Sequence, residues 1–185
     1  MSDDFSTLDG IHAALWRRLE LAAHGKTGPA RYLVLATRGM VVGAEARMVV
    51  LRQADRSTAK IGLHTHALSH KVAELAADPV ATLLMWDPAH AFQARLKVVT
   101  DTVPGTDADW ARVPATGRRL NYGSLPPAMP IAAPNVIAEA HENRDAFIKI
   151  NAEIEAIDAL LLGEQNARRA RYSRELEFQG RWIAP

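Results

Sequence analysis

Five short segments between residues 31 and 103, most of them punctuated by turn residues, limit what this chain can fold into. RYLVLATR (31–38) ends at Gly39, and AEARMVVLRQ (44–53) ends in ADRS. TAKIGLHT (58–65) follows, and PVATLLMW (79–86) and AFQARLKVVTDTV (91–103) flank a turn at Asp87-Pro88. Their β-branched content and close spacing predict strands in an antiparallel meander or small barrel. One short helix, LSHKVAELAAD (68–78), interrupts the series and stops before Pro79.

The flanks are less regular. Residues 9–24 read as an amphipathic helix with Asp9 as N-cap and Ile11, Leu15, Leu19 and Ala22 at helical spacing. Six of the ten prolines fall in 104–134, which predicts an extended loop, reaching to about 146, with one short helix near 107–113. FIKINAEIEAIDALLLG (147–163) fits helical and strand periodicity equally well. ARRARYSRE (167–175) and GRWIAP (180–185) read as closing strands. A single domain over 1–185 is expected.

Composition excludes several classes. Lys+Arg number 22 against 21 Asp+Glu, a balance that argues against nucleic acid or an acidic membrane surface as main partner. Without cysteine there is no disulfide, thiolate metal site or cysteine nucleophile. The acidic start MSDDFSTLDG is no secretory signal, and no apolar run is long enough to span a bilayer, so a cytoplasmic protein is expected. The apolar fraction is 48%, but 33 of those residues are alanine and only 11 are aromatic. Alanine buries little area, which points to help from a partner chain or a bound cofactor.

IGLHTHALSHKVAEL (61–75) is the most informative stretch. Ser69 is placed to cap the helix, and His70 and Lys71 fall in its first turn, where cations oppose the positive end of the macrodipole. A bound anion reverses that penalty. Free backbone N–H groups, a hydroxyl, a lysine and an imidazole make a phosphate cradle; the competing reading is a solvated helix start. In ARMVVLR (46–52), Arg47, Val49 and Leu51 share one strand face and Met48, Val50 and Arg52 the other, which also fits an edge strand whose arginines reach water. In AFQARLKV (91–98), Gln93, Arg95 and Lys97 form a polar face that is either solvated or lines a ligand. His64, His66 and His70 have metal-like spacing, but Lys71 beside them disfavours a cation, and no metal is expected. No nucleophile elbow, P-loop or G-x-G-x-x-G is present, and no catalytic side chain is assigned.

Taken in order, four blocks resemble the flavin-binding family of pyridoxamine 5'-phosphate oxidase: Arg47-Met48-Val49-Val50-Leu51-Arg52, His64-Thr65-x3-Ser69-His70-Lys71, Asp78-Pro79-Val80 and Phe92-Gln93-Ala94. The C-terminal RRARY and RWIAP resemble the family's ending. The resemblance implies an α+β fold: an antiparallel six-stranded split β-barrel with an N-terminal helix and short connecting helices, in which 147–163 is a long strand. It also implies a homodimer with FMN at the interface. Arg47 and Lys71 would contact the FMN phosphate, with Ser69 and Thr65 hydrogen-bonding it. Met48, Val49, Val50 and Leu51 would line the isoalloxazine. Gln93 would reach the ring or ribityl chain, and Arg171 would approach from the second subunit. Arg52, His64 and His70 complete the cofactor set where the family has Lys, Tyr and Arg.

Other departures concern the substrate. The family's R-L-H-D-R motif reads Ala167-Arg168-Arg169-Ala170-Arg171, and a tryptophan placed over the flavin corresponds to Leu161. These changes argue against oxidation of pyridoxamine phosphate itself. The expectation is an FMN-dependent oxidoreductase acting on an unidentified small molecule, with Arg52, Tyr122, Arg168 and Arg169 as candidate substrate contacts. The alternatives are a non-catalytic flavin or small-ligand binder of a stress or redox-sensing kind, and a split barrel that uses haem or a deazaflavin.

Overall fold

The computed structural model describes residues 3–25, 27–135, 141–163 and 167–185. The segments expected to be strands are strands: β1 (Tyr32–Arg38), β2 (Ala44–Asp55), β3 (Lys60–His66), β4 (Val80–Asp87) and β5 (Phe92–Pro104). The ambiguous stretch forms the 15-residue β6 (Phe147–Leu161), followed by β7 (Arg168–Ser173) and β8 (Arg181–Ile183). Isoleucines at 150, 154 and 157 suit a pleated surface, and all three are buried.

All neighbouring strands are antiparallel, in the order β3-β2-β1-β4-β5-β6-β7-β8. A further pairing of β3 with β6 closes the first six into a barrel. One edge of β6 serves two partners. Phe147–Glu153 pairs with β3, whereas Ala156–Leu161 pairs with β7, so the sheet splits away from the barrel halfway along one strand. This is the expected α+β split barrel.

Alternation along the strands fills the interior. Leu33 and Leu35, Val49 and Leu51, Leu83 and Met85, and Leu96 and Val98 all point inward. Ala94, Ala152, Ala159 and Ala170 are fully or nearly fully buried, so part of the alanine excess fills the core, where small side chains let layers approach closely. Helix α1 (Leu8–Gly25) buries Ile11, Leu15, Trp16, Leu19 and Ala22 against this core. Its N-terminal cap is Thr7, not Asp9: the Thr7 hydroxyl accepts from the Gly10 N–H at 3.0 Å. Helix α2 (His70–Ala77) bridges β3 and β4.

The proline-rich region holds more structure than its composition predicts. Besides α3 (Asp107–Ala111), at the expected place, it contains α4 (Ala115–Asn121) directly after Pro114. Proline suits a helix start because its fixed φ is already helical and no donor is lost there. Trp110, Val113 and Tyr122 pack on Phe147 at the start of β6. The Tyr122 and Phe147 rings meet edge to face at 4.9 Å. No helix among the described residues is long and apolar enough to cross a membrane.

A buried ion pair fastens α1 to the β4–β5 turn. Arg18 Nε donates to Asp87 Oδ2 at 2.8 Å, and both residues are under 10% exposed. Burial alone would raise the Asp87 pKa, but hydrogen bonds from Arg18 and His90 hold it below the usual carboxylate value. Asp87→Ala should cost about 2 kcal/mol, because it removes one of the two carboxylates that hold the buried guanidinium, Asp3 remaining at 2.7 Å, and urea unfolding at pH 7 measures it. The cost should shrink as pH falls below about 4: a depressed native pKa gives stability above the unfolded pKa and loses it as the carboxyl protonates in both states.

Candidate functional site

Two polar clusters lie along β2 and β3, the first where these strands meet α2. In the first, Arg47 lies opposite Leu35 in the β1–β2 ladder and shares the inner face with Val49 and Leu51. Its guanidinium donates to Thr37 Oγ1, and to Glu74 Oε2 at 2.7 Å. The Thr37 hydroxyl donates to the same carboxylate oxygen at 2.6 Å. Lys71 Nζ donates to Thr65 Oγ1 at 3.1 Å and to Ser69 Oγ at 2.5 Å. Ser69 is the N-cap residue of α2, but its side chain makes no capping bond; its hydroxyl accepts from Lys71 instead. Burial lowers the Lys71 pKa and the Arg47 charge lowers it further, while Glu74 opposes both. Two cations, three hydroxyls and the start of a helix therefore converge with one buried carboxylate, while the exposed Glu45 lies 3.9 Å from Arg47; the donors are suited to a phosphate. His70 is exposed beside them.

The second cluster lines a cleft of about 720 Å³ between the outer surface of the β2–β3 hairpin, the end of α1, and α3 with the turn after it. Leu51 pairs with Leu63 and Gln53 with Gly62, so Arg52 is the extra residue of a β-bulge. The bulge turns its side chain into the cleft. Arg52 Nε and both ring nitrogens of His64 are buried without a hydrogen-bond partner, although buried polar atoms are normally paired. Burial and the Arg52 charge lower the His64 pKa to about 4, so at neutral pH its imidazole is uncharged, with one donor and one acceptor nitrogen. Burial, then Arg31, lowers the Arg52 pKa. Tyr122, buried in the small aromatic cluster, is close enough for its charge to couple to Arg52.

The remaining sequence-derived positions separate. Met48 is exposed and Val50 half-buried, but the side chains of Val49 and Leu51 lie in the core, so only their main chain is available to a ligand. Gln93 lies opposite Trp86 and Leu160, and Arg171 lies opposite Asp158 and Arg181. Among the described residues neither bonds to the first cluster. His66 has a different task from His64. Its Nδ1 accepts from the Leu68 N–H at 3.0 Å, which leaves Nε2–H to donate to the Gly123 carbonyl at 3.2 Å. No group of three metal-ligating side chains occurs among the described residues. Thr37 and Glu74 were not anticipated; a glutamate one helical turn after a lysine reads as an ordinary surface pair until packing buries it.

No family model matches the sequence, and no curated protein matches it. Solved structures do. A pyridoxamine 5'-phosphate oxidase-related, FMN-binding protein from Nostoc punctiforme superposes with a TM-score of 0.77 at 19% identity, over 94% of this chain and 96% of its own. PhzG from Burkholderia lata, solved with tetrahydrophenazine-1-carboxylic acid, gives 0.75 at 17% identity over 94% and 92%. A protein from Clostridium acetobutylicum related to general stress protein 26, of the pyridoxinephosphate oxidase family, gives 0.59 at 11% over 94% and 99%. The chain has the fold of these proteins, as the resemblance implied.

His64 supplies a pH test. Its native pKa lies below the unfolded value, so between about pH 6.5 and 4 the unfolded chain binds a proton that the native chain refuses. Stability should fall as pH drops through that window and lose no more to this group below it. His64→Phe should reduce the slope of melting temperature against pH there, leaving the share of His12, whose pKa burial also lowers to about 4; an unchanged slope contradicts the assignment.

Proposed function

We propose that this protein is an FMN-binding flavoprotein of the pyridoxamine 5'-phosphate oxidase-like group, acting as an oxidoreductase on a small organic molecule. The observation that carries the reading is the convergence of Arg47, Thr65, Ser69 and Lys71 from three elements. Arg47 and Lys71 would hold the phosphate by charge-assisted hydrogen bonds, with Ser69, Thr65 and the N–H groups at the start of α2 completing the shell. The residues fit the group: the Ser69 hydroxyl is free of capping, and two cations share one carboxylate. Bound FMN supplies hydride-transfer chemistry at the flavin ring.

The protein's own contribution is orientation and exclusion of water. The outward-facing Met48 and Val50 of β2 lead from the phosphate cradle towards the cleft, and the five steps from Arg47 to Arg52 span about 16 Å at 3.3 Å per residue, which suits an extended flavin nucleotide. In that cleft Arg52 would hold an acceptor group, and His64 would pair with an uncharged polar group of cofactor or substrate. Gln93 would meet the flavin ring or ribityl chain and Arg171 would approach it from the second subunit, whereas Arg169 is held by both oxygens of Asp158 and Arg168 donates to the Phe5 carbonyl.

A homodimer is part of the proposal, and the outer barrel face supports it. Met48, Val34 and Leu84 lie side by side across β2, β1 and β4, beside the Tyr32–Val50 pair. Tyr32, Met48, Val80, Trp86 and Val99 are all more than 40% exposed, an unusual display of apolar surface for a monomer.

The purified protein should be yellow or turn so on titration with FMN, and released cofactor should have the mass of FMN. A protein that stays colourless and does not bind FMN sinks the reading; oxidation of a reductant or turnover in a substrate panel separates enzyme from passive binder. Lys71→Ala and Arg47→Ala should each weaken FMN binding by about 1.5–3 kcal/mol. Leu84→Arg should yield a monomer in sedimentation analysis with weakened FMN binding, and removal of FMN should lower the melting temperature of the dimer. A dimer unchanged by Leu84→Arg would place the interface elsewhere.

A further inference from the structure

The buried carboxylate of Glu74 has no role in holding a phosphate; it has the wrong sign. It is nonetheless 4% exposed and accepts from both Thr37 and Arg47. Glu74 belongs to the same turn of α2 as Lys71. Arg47 and Lys71 are close enough that each charge disfavours the other, and Glu74 opposes that repulsion. Without Glu74, two partly buried cations would keep only the exposed Glu45 carboxylate, 3.9 Å from Arg47, as counter-charge, and Arg47 would lose its principal tether.

We propose that Glu74 is a positioning residue for the anion site, a resident counter-ion that fixes Arg47 against Thr37 and holds the two cations together before an anion arrives. The proposal rests on reading the Arg47–Thr65–Ser69–Lys71 cluster as an anion site. In the empty site Glu74 neutralises one of two positive charges. Arg47 keeps the outer part of its fork for the ligand, because its bonds to Thr37 and Glu74 use one hydrogen from each terminal nitrogen. An arriving phosphate therefore meets ordered donors but also a nearby negative charge. Glu74 trades affinity for order.

Two substitutions separate these effects. Glu74→Gln keeps an acceptor oxygen for Arg47 and removes the charge. Its melting temperature without ligand should fall, inorganic phosphate should bind roughly tenfold tighter, and phosphate should raise its melting temperature by about 4 °C more than it does for wild type. Glu74→Leu removes tether and charge, and should bind phosphate as weakly as Arg47→Met. A double-mutant cycle in phosphate-free buffer completes the test: Arg47→Met strands a buried carboxylate, so adding Glu74→Gln to it should restore stability. If Glu74→Gln fails to fold alone, the Arg47→Met variant is compared directly with the double variant, and a double variant no more stable than Arg47→Met overturns the role of Glu74. A role in packing alone would leave the phosphate-induced shift equal to wild type in both Glu74 variants, and additivity in the cycle would overturn the proposal outright. A wild-type chain whose melting temperature ignores phosphate overturns the anion site, and this proposal with it; additivity overturns only the role of Glu74.

Discussion

The fold depends on β6 meeting two partners along a single edge. Over Phe147–Glu153 that edge closes the barrel against β3, and over Ala156–Leu161 it carries β7. A sheet edge is a row of unpaired donors and acceptors that must be covered. β3 and β7 share the covering, and the place where one stops and the other begins sets the geometry of the molecule. The closure sets His64 and Thr65 of β3 opposite Lys149 and Ile148 of β6, and α3 and α4 pack on Phe147 at the start of the same strand, with the cleft beside Arg52 between them and the β2–β3 hairpin.

Much of this was legible in the residues. Turn chemistry marked β1 to β5, and the two-residue alternation told inward from outward side chains along β2 and β5. The gathering of polar groups at the start of α2 was foreshadowed because His70 and Lys71 lie where an isolated helix should not carry cations. Three things were hidden, each because it depends on partners distant in sequence. β6 had two valid periodicities until strands on either side selected one. Helix α4 lay inside a proline-rich stretch whose composition argued for loop. The Arg52 bulge is a mismatch between two strands and exists in neither strand alone.

Electrostatics divides the site into two chemistries. At the inner end of β2, cations are balanced by a buried carboxylate and ordered by hydroxyls. On the outer face, Arg52 and an uncharged imidazole have unused hydrogen-bonding capacity. The inner set is tied together by hydrogen bonds that leave spare donors on Arg47 and Lys71. The outer set bears unsatisfied groups on a cleft wall, with the His64 ring resting edge to face on the buried Phe147 at 4.8 Å.

The long-range closure also has a temporal side. Each residue of β3 pairs with a residue of β6 more than eighty positions later in the chain. Loop closure over such a span costs entropy before any contact repays it, so folding is slow compared with a chain of local contacts. During synthesis β1 to β5 emerge with β3 still an open edge, exposing an incomplete barrel until β6 is made. The last third of the chain thus acts as the clasp: until it arrives, the residues of the cradle are present without the closed barrel that braces them.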